Sequence, residues 1–333
     1  MIDAAGPWGT GPFILASGVS QLDKRSPEVV LDPNPGYWNP DRKPTSRMVF
    51  DNIISKADAI RSVESGDGKV DVVTQLLPSE ARAFNGGSRA KLVVSDAKTV
   101  LVAVFNQNKP DSPWKDLALR QAMNMAVDRD AVLANAGGGY GKVIPALIQP
   151  GRFGYNPALS PYPYDAAKAK AAVSAAKIPG NQVVIAADES LKPVVDDIAK
   201  SLAAVGLTVK PDYGATPGQD WDLRLVFAFD WTPQFPVGVL HREFLGKDGA
   251  YRAMPDSSQF DALYAKLLKT VDEKEQEKQV QAIEAFTHDQ ADLLFLYSPA
   301  VLYAVSNRVH FVPYDTFMLE LAETGVNQGK TSR

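Results

Sequence analysis

The stretch QVVIAADESLKPVVDDIAKSLAAVGLTVKPDY, residues 182–213, constrains the fold more than any other part of the chain. A β-rich run at 183–187 leads into a helical pattern over about 191–204. Gly206 ends that pattern, and a second β-rich run follows at 207–210. Strands joined through a helix in this way pair in parallel with a right-handed crossover. The segment is therefore one βαβ unit, and the chain belongs to the α/β class.

The rest of the chain has ample apolar material for such a core, with 333 residues, 45% of them hydrophobic and 22% charged. Single cores stop growing at about 250–300 residues, so two lobes are expected. A net charge of −4 with scattered Lys and Arg argues against nucleic acid or an anionic membrane as the main partner. The absence of cysteine excludes disulfide frameworks, thiolate zinc sites and cysteine nucleophiles. The most apolar run, LLFLYSPAVLYAV at 293–305, is interrupted by Ser298 and Pro299 and reads as core strand rather than membrane span. The opening MIDAAGPWGTG has neither the basic nor the apolar region of a signal peptide.

Elsewhere, short β-rich runs at 29–31 and 48–50 flank a proline-rich loop containing Tyr37 and Trp38, as in a meander or hairpin. A helix is expected from about Asp58 to 66–68, then a strand at 70–74 and another at 98–107. Leu119, Ala122, Met123 and Ala126 keep helical spacing, and Asp128 caps a short helix after them. The 145–163 segment reads as an extended, ordered loop, and Asp165 caps the Ala/Lys helix beyond it. A strand is expected at 221–231. Two helices follow it, the second starting on an Asp272–Glu275 capping box with Val280, Ile283 and Phe286 on one face.

No motif for catalysis survives inspection. GGGYGK at 137–142 fails as a phosphate loop because Ala136 and Val143 stand where Gly and Ser or Thr are needed. His241, His288 and His310 form no close-spaced ligand pair, and His288 falls on the polar side of its helix, so no metal site is expected. GGSRA at 86–90 lacks the buried strand that must precede a nucleophile elbow. Asp196 and Asp197 point to different helix faces and read as solvent groups. A non-enzymatic chain without a cofactor is expected.

Aromatic residues are more informative. FAFDWTPQF puts Phe227, Phe229 and Trp231 on one side of a strand that breaks at Pro233 and Pro236. A tryptophan at such a strand end commonly lines a pocket. Phe227 is assigned to the core and Trp231 to a ligand.

In order along the chain, GTGPFIL, LDPNPGYWNP, IRSVESGDGKVDVV, LALRQAMNMAVDRDAV, YPYDAAKAKAAVSAA and the closing DLLFLY resemble the motifs of a known family. It is the extracytoplasmic solute-binding proteins of the peptide/nickel ABC-transporter family, family 5. The resemblance implies a two-lobe periplasmic-binding-protein-like fold (type II, cluster C) with an incomplete first lobe. Residues 1–104 and 299–333 would form one lobe and 105–298 the other. It further implies a periplasmic or extracytoplasmic protein that closes over a small-molecule or peptide ligand and hands it to an ABC permease in the membrane, powered by a separate ATPase.

Two departures from the family pattern matter. A long segment ordinarily precedes G-T-G-P-F, so the turn at 9–12 is expected to follow a missing portion. An unpaired sheet edge and exposed apolar surface would result, open to self-association. Peptide-binding members also carry W-x-x-D, whose acid pairs with the peptide α-ammonium. Here the segment is WTPQ, with Gln234 in the acid's place. A neutral amide forgoes a charge-assisted bond of about 1.5–3 kcal/mol, which argues against peptides with a free N-terminus.

The expected ligand contacts are Trp231 by stacking and Gln234 by hydrogen bonding. Phe229, Phe235 and Tyr140 follow, with Asn106 and Arg224 as polar groups near strand ends. Arg120, within the most specific motif, is assigned a structural role. The alternatives are a non-transporting interaction module or truncated fragment that has lost solute binding, and a hydrolase on the same lobes.

Overall fold

The computed structural model describes residues 9–19, 24–44, 46–214, 220–229, 245–246, 249–313 and 321–326. The chain divides into two units, Met1–Ser95 with Val301–Arg333, and Asp96–Ala300.

In the first unit, β1 (Phe13–Ser17), β2 (Glu28–Pro33) and β3 (Met48–Asp51) form an antiparallel sheet in that order. Among the described residues β1 and β3 each pair with β2 alone, and Leu15 and Val49 on them are each 53% exposed. Helix α1 (Lys56–Ser65) starts where the Ser55 side chain accepts from the Asp58 amide, and it ends on Gly66 at φ 68°. That left-handed conformation carries no Cβ penalty in glycine. The strand expected at 70–74 is shorter, β4 (Val72–Val73), and is followed by α2 (Pro78–Ala81) and β5 (Ala90–Asp96).

The second unit is built on β6 (Thr99–Phe105), all seven residues of which are buried. It continues through α3 (Leu117–Ala126), α4 (Arg129–Asn135), β7 (Gly141–Lys142) and α5 (Ala166–Ala175). The predicted βαβ unit follows as β8 (Gln182–Ala186), α6 (Lys192–Ala204) and β9 (Thr208–Asp212), paired in parallel. Then come β10 (Leu223–Phe229), α7 (Ser258–Lys269), α8 (Glu273–Asp289) and the long β11 (Leu293–Ser306). β12 (Val309–His310) and β13 (Gly325–Val326) close the first unit as an antiparallel pair.

The second unit's strands run β11–β6–β10–β8–β9. One face of that sheet buries Leu101, Ala103, Phe105, Leu223 and Leu225 with residues of α3 to α6, including Met123 and Ile198. The other buries Val100, Val102, Val104 and Phe295 with Ile144, Leu245 and Met254. The division near the start of this unit falls at 95/96 rather than the expected 104/105, because β6 pairs with β10 along its whole length. The return falls at 300/301 rather than 298/299, since Ser298 and Pro299 pair with β7.

Three sequence assignments need correction. Phe227 is 44% exposed rather than core. Leu223 and Leu225 on its face are buried, but Phe227 lies nearer the strand end and outside the cluster that covers them. His288 is not on a polar face. Its ring stacks on Tyr162 with centroids 4.7 Å apart, and Nε2 lies 3.1 Å from the Ser160 carbonyl, because the 145–163 loop packs over the end of α8. Asp197 is buried and paired with Lys200 at 2.7 Å, whereas Asp196 is a surface group as expected.

Candidate functional site

The antiparallel register of β6 and β10 separates the expected site residues. Leu223 lies opposite Phe105 and Phe229 opposite Thr99. Arg224 and Asn106 are therefore near one end of the pair and the Phe229 backbone at the other, about 17 Å away at the rise of an extended strand. The side chain of Phe229, and the whole of Trp231, Gln234 and Phe235, lie outside the described residues.

The Phe229 end is also where Tyr140 sits. Tyr140 accepts from the Ala300 amide at 3.3 Å, just before β7 pairs Gly141 with Pro299. A Cβ on Gly141 (φ 144°) would come within 2.4 Å of the Ser298 carbonyl, so glycine is required for this approach. Gln149 joins the group, its Nε2 donating to the Thr99 carbonyl and to Ser298 Oγ at 3.0 Å each. Lys142 and Asp96 form an exposed ion pair of 2.7 Å at the rim. Tyr140 and Gln149 are half-buried, as befits groups that can meet a ligand while held from behind.

A buried carboxyl holds the backbone that leads into Gln149. Glu284 on α8 is 1% exposed, and its Oε2 accepts from the Ile148 amide at 3.2 Å while Oε1 has no hydrogen-bond partner among the described residues. Burial pushes its pKa up to about 8, and the Ile148 and Leu147 amides oppose that only in part. The carboxyl is thus held mainly protonated at neutral pH, anchoring the 145–163 loop to α8.

At the opposite end, Asn106 and Arg224 line one cleft. Asn106 is committed to structure: Nδ2 donates to the Trp221 carbonyl at 3.0 Å, and Oδ1 accepts from the Lys109 amide at 3.1 Å. Arg224 lies over the Tyr251 ring, 4.7 Å from its centroid. Arg120 serves as a tie, donating to the carbonyls of Gln290 at 2.7 Å and Trp114 at 2.8 Å. Gln149, Glu284, Lys109 and Tyr251 were not singled out by sequence reasoning, since their roles depend on segments distant in the chain. Among the described residues no cluster of acidic or histidine side chains could hold a metal ion, and no helix is long and apolar enough to cross a membrane.

Two α/β units traversed by the chain at 95/96 and 300/301 are the architecture of type II periplasmic binding proteins. Residues 3–237 match the profile of the bacterial extracellular solute-binding proteins, family 5 (middle region), and the chain belongs to that family. It is 24% identical over 316 residues to the probable D,D-dipeptide-binding periplasmic protein DdpA of Escherichia coli (strain K12), covering 90% of this chain and 59% of that protein. Against heme-binding protein A of Haemophilus influenzae it is 25% identical over 302 residues, covering 86% and 53%. Among solved structures, the ABC transporter substrate-binding protein CtaP of Listeria monocytogenes superposes with a TM-score of 0.79 at 19% identity, covering 96% of this chain and 67% of that one. The chain thus spans somewhat more than half the length of the curated relatives it matches.

Proposed function

We propose that this chain is the solute-binding component of an ABC importer. It captures a small organic solute or oligopeptide outside the cytoplasm and delivers it to a membrane permease, without catalysis. The observation that carries this reading is the meeting of Tyr140, Gln149, Ser298 and the Phe229 backbone at one end of the second unit's sheet in a member of the solute-binding family. In the sequence, Trp231 follows Phe229 by two residues and Gln234 by five. We assign stacking to Trp231, hydrogen bonding to Gln234, and flanking contacts to Tyr140, Phe229 and Phe235.

With Gln234 in the place of an acid, the favoured solute lacks a free α-ammonium. Calorimetry with a tripeptide and its N-acetylated form tests this point. The acetylated form should bind at least as well; tight binding of the free peptide that Gln234→Ala abolishes would contradict it.

A second reading, as an interaction module, draws on Leu15 and Val49, each 53% exposed in a sheet whose outer strands have one partner among the described residues. Sedimentation over a hundredfold concentration range separates the two: association without any solute effect on melting favours the module.

A further inference from the structure

The cleft that holds Arg224 is not accounted for by solute capture at the Phe229 end. It has a volume of about 670 Å³, enough for a small organic molecule rather than a lone ion. Its walls carry the cations Lys109, Arg224 and Arg252 against the carboxylate of Asp220 and, behind Lys109, that of Asp222, an excess of one positive charge in a chain whose overall charge is negative.

The backbone that carries these groups, and the Lys109 side chain, are held by hydrogen bonds within the protein. Gln107 donates from its amide to the Ala253 carbonyl at 2.7 Å, and Asn108 Nδ2 donates to the Arg252 and Met254 carbonyls at 2.9 Å each. Lys109 Nζ rests on the Asp220 carbonyl at 3.1 Å and on Asp222 at 3.4 Å. Asp222 is itself spent, accepting from Trp114 Nε1 at 3.2 Å and from the Val184 amide at 2.8 Å. The Arg224 guanidinium lies over the Tyr251 ring, 4.7 Å from its centroid, and has no carboxylate partner among the described residues. Arg252 has no such partner either. A planar fork fixed by an aromatic ring matches a carboxylate in two-point geometry.

We propose that this cleft is a second ligand site, separate from the solute site, for a small organic acid bearing two or more carboxylates. One carboxylate takes the Arg224 fork, and another lies between Arg252 and Lys109. Asp220 disfavours ligands whose negative charge fills the whole cleft.

Titration calorimetry with citrate tests this on the wild-type protein and on Arg224→Gln, Arg252→Gln and Trp231→Ala, in chloride-poor buffer. Saturable one-to-one binding is expected. Either arginine substitution should weaken it about tenfold or more, and Trp231→Ala should leave it unchanged. Arg252, exposed at the rim, decides the matter if Arg224→Gln fails to fold. The proposal is overturned by unsaturable heats, by equal affinity in the arginine variants, or by loss of binding in Trp231→Ala, which would put citrate in the solute site. Equal affinity for inorganic phosphate would also overturn it, as simple ion attraction.

Discussion

Arg129 donates from Nε to the Phe295 carbonyl at 2.6 Å, joining residues 166 positions apart. Its other nitrogens reach the Asn124 carbonyl at 2.7 Å and Asn124 Oδ1 at 2.8 Å. Arg129 is 4% exposed and has no carboxylate partner among the described residues, and burial pulls its pKa down to about 10. It stays charged at neutral pH and serves as a fork that satisfies carbonyls of α3 and β11.

Removing this fork leaves buried carbonyls unpaired. Arg129→Met is expected to cost about 3 kcal/mol of stability, read from urea midpoints. A loss below about 1 kcal/mol would mean water replaces the fork.

Glu284 and Asp292 give stability a definite pH dependence. Burial raises them from ordinary values of 4.5 and 3.8 to about 8 and about 7. The folded state keeps each proton after the unfolded chain has released it. Their contribution is therefore full below about pH 4 and is lost as pH rises toward 7–8. Asp58 and Asp67, held low by hydrogen bonds from Ser55 and Ser62, act oppositely, but only below their ordinary 3.8. Glu284→Gln should flatten the decline in urea midpoint between pH 5 and pH 8. An unchanged slope would remove Glu284 from the account.

Gly141 offers a test that separates position from stability. Gly141→Ala drives a Cβ into the Ser298 carbonyl, whereas Gly139→Ala, also at positive φ, meets nothing within 4 Å. The first should cost about 1–3 kcal/mol and weaken solute binding by moving Tyr140. The second should cost about 1 kcal/mol and leave binding intact. Equal effects on binding would show that Tyr140 takes no part.

Gln149→Ala removes the hydrogen bonds to Thr99 and Ser298 while leaving Glu284 on its amides. Solute affinity should fall at least fivefold with a melting point within a few degrees of wild type. Unchanged affinity would confine Gln149 to a structural role.

What was readable in the sequence was what local chemistry decides. The β8–α6–β9 unit shows in its change of apolar period, and the caps at Asp128, Asp165 and Asp272 each accept from an amide three residues on. Roles set by distant contacts were hidden. Glu284 follows a run of charged residues in an amphipathic helix, yet it is buried under a loop residue 136 positions away. Its neighbour His288 looked polar for the same reason. Asn106, Arg224 and Phe229 were read as one set of ligand contacts, but the β6–β10 register carries Asn106 and Arg224 to one end and the Phe229 backbone to the other, about 17 Å away. Phe227 shows the remaining difficulty: strand alternation gives its face, not how far the covering helices reach.

Solute capture itself is tested most directly by thermal melts of the wild type and Trp231→Ala against peptides, opines, sugars, metal chelates and heme. A binding protein predicts a saturable rise of several degrees for at least one class, absent in Trp231→Ala although the free proteins melt together. Identical melting of the wild type with every class at millimolar concentration would contradict the solute-binding role.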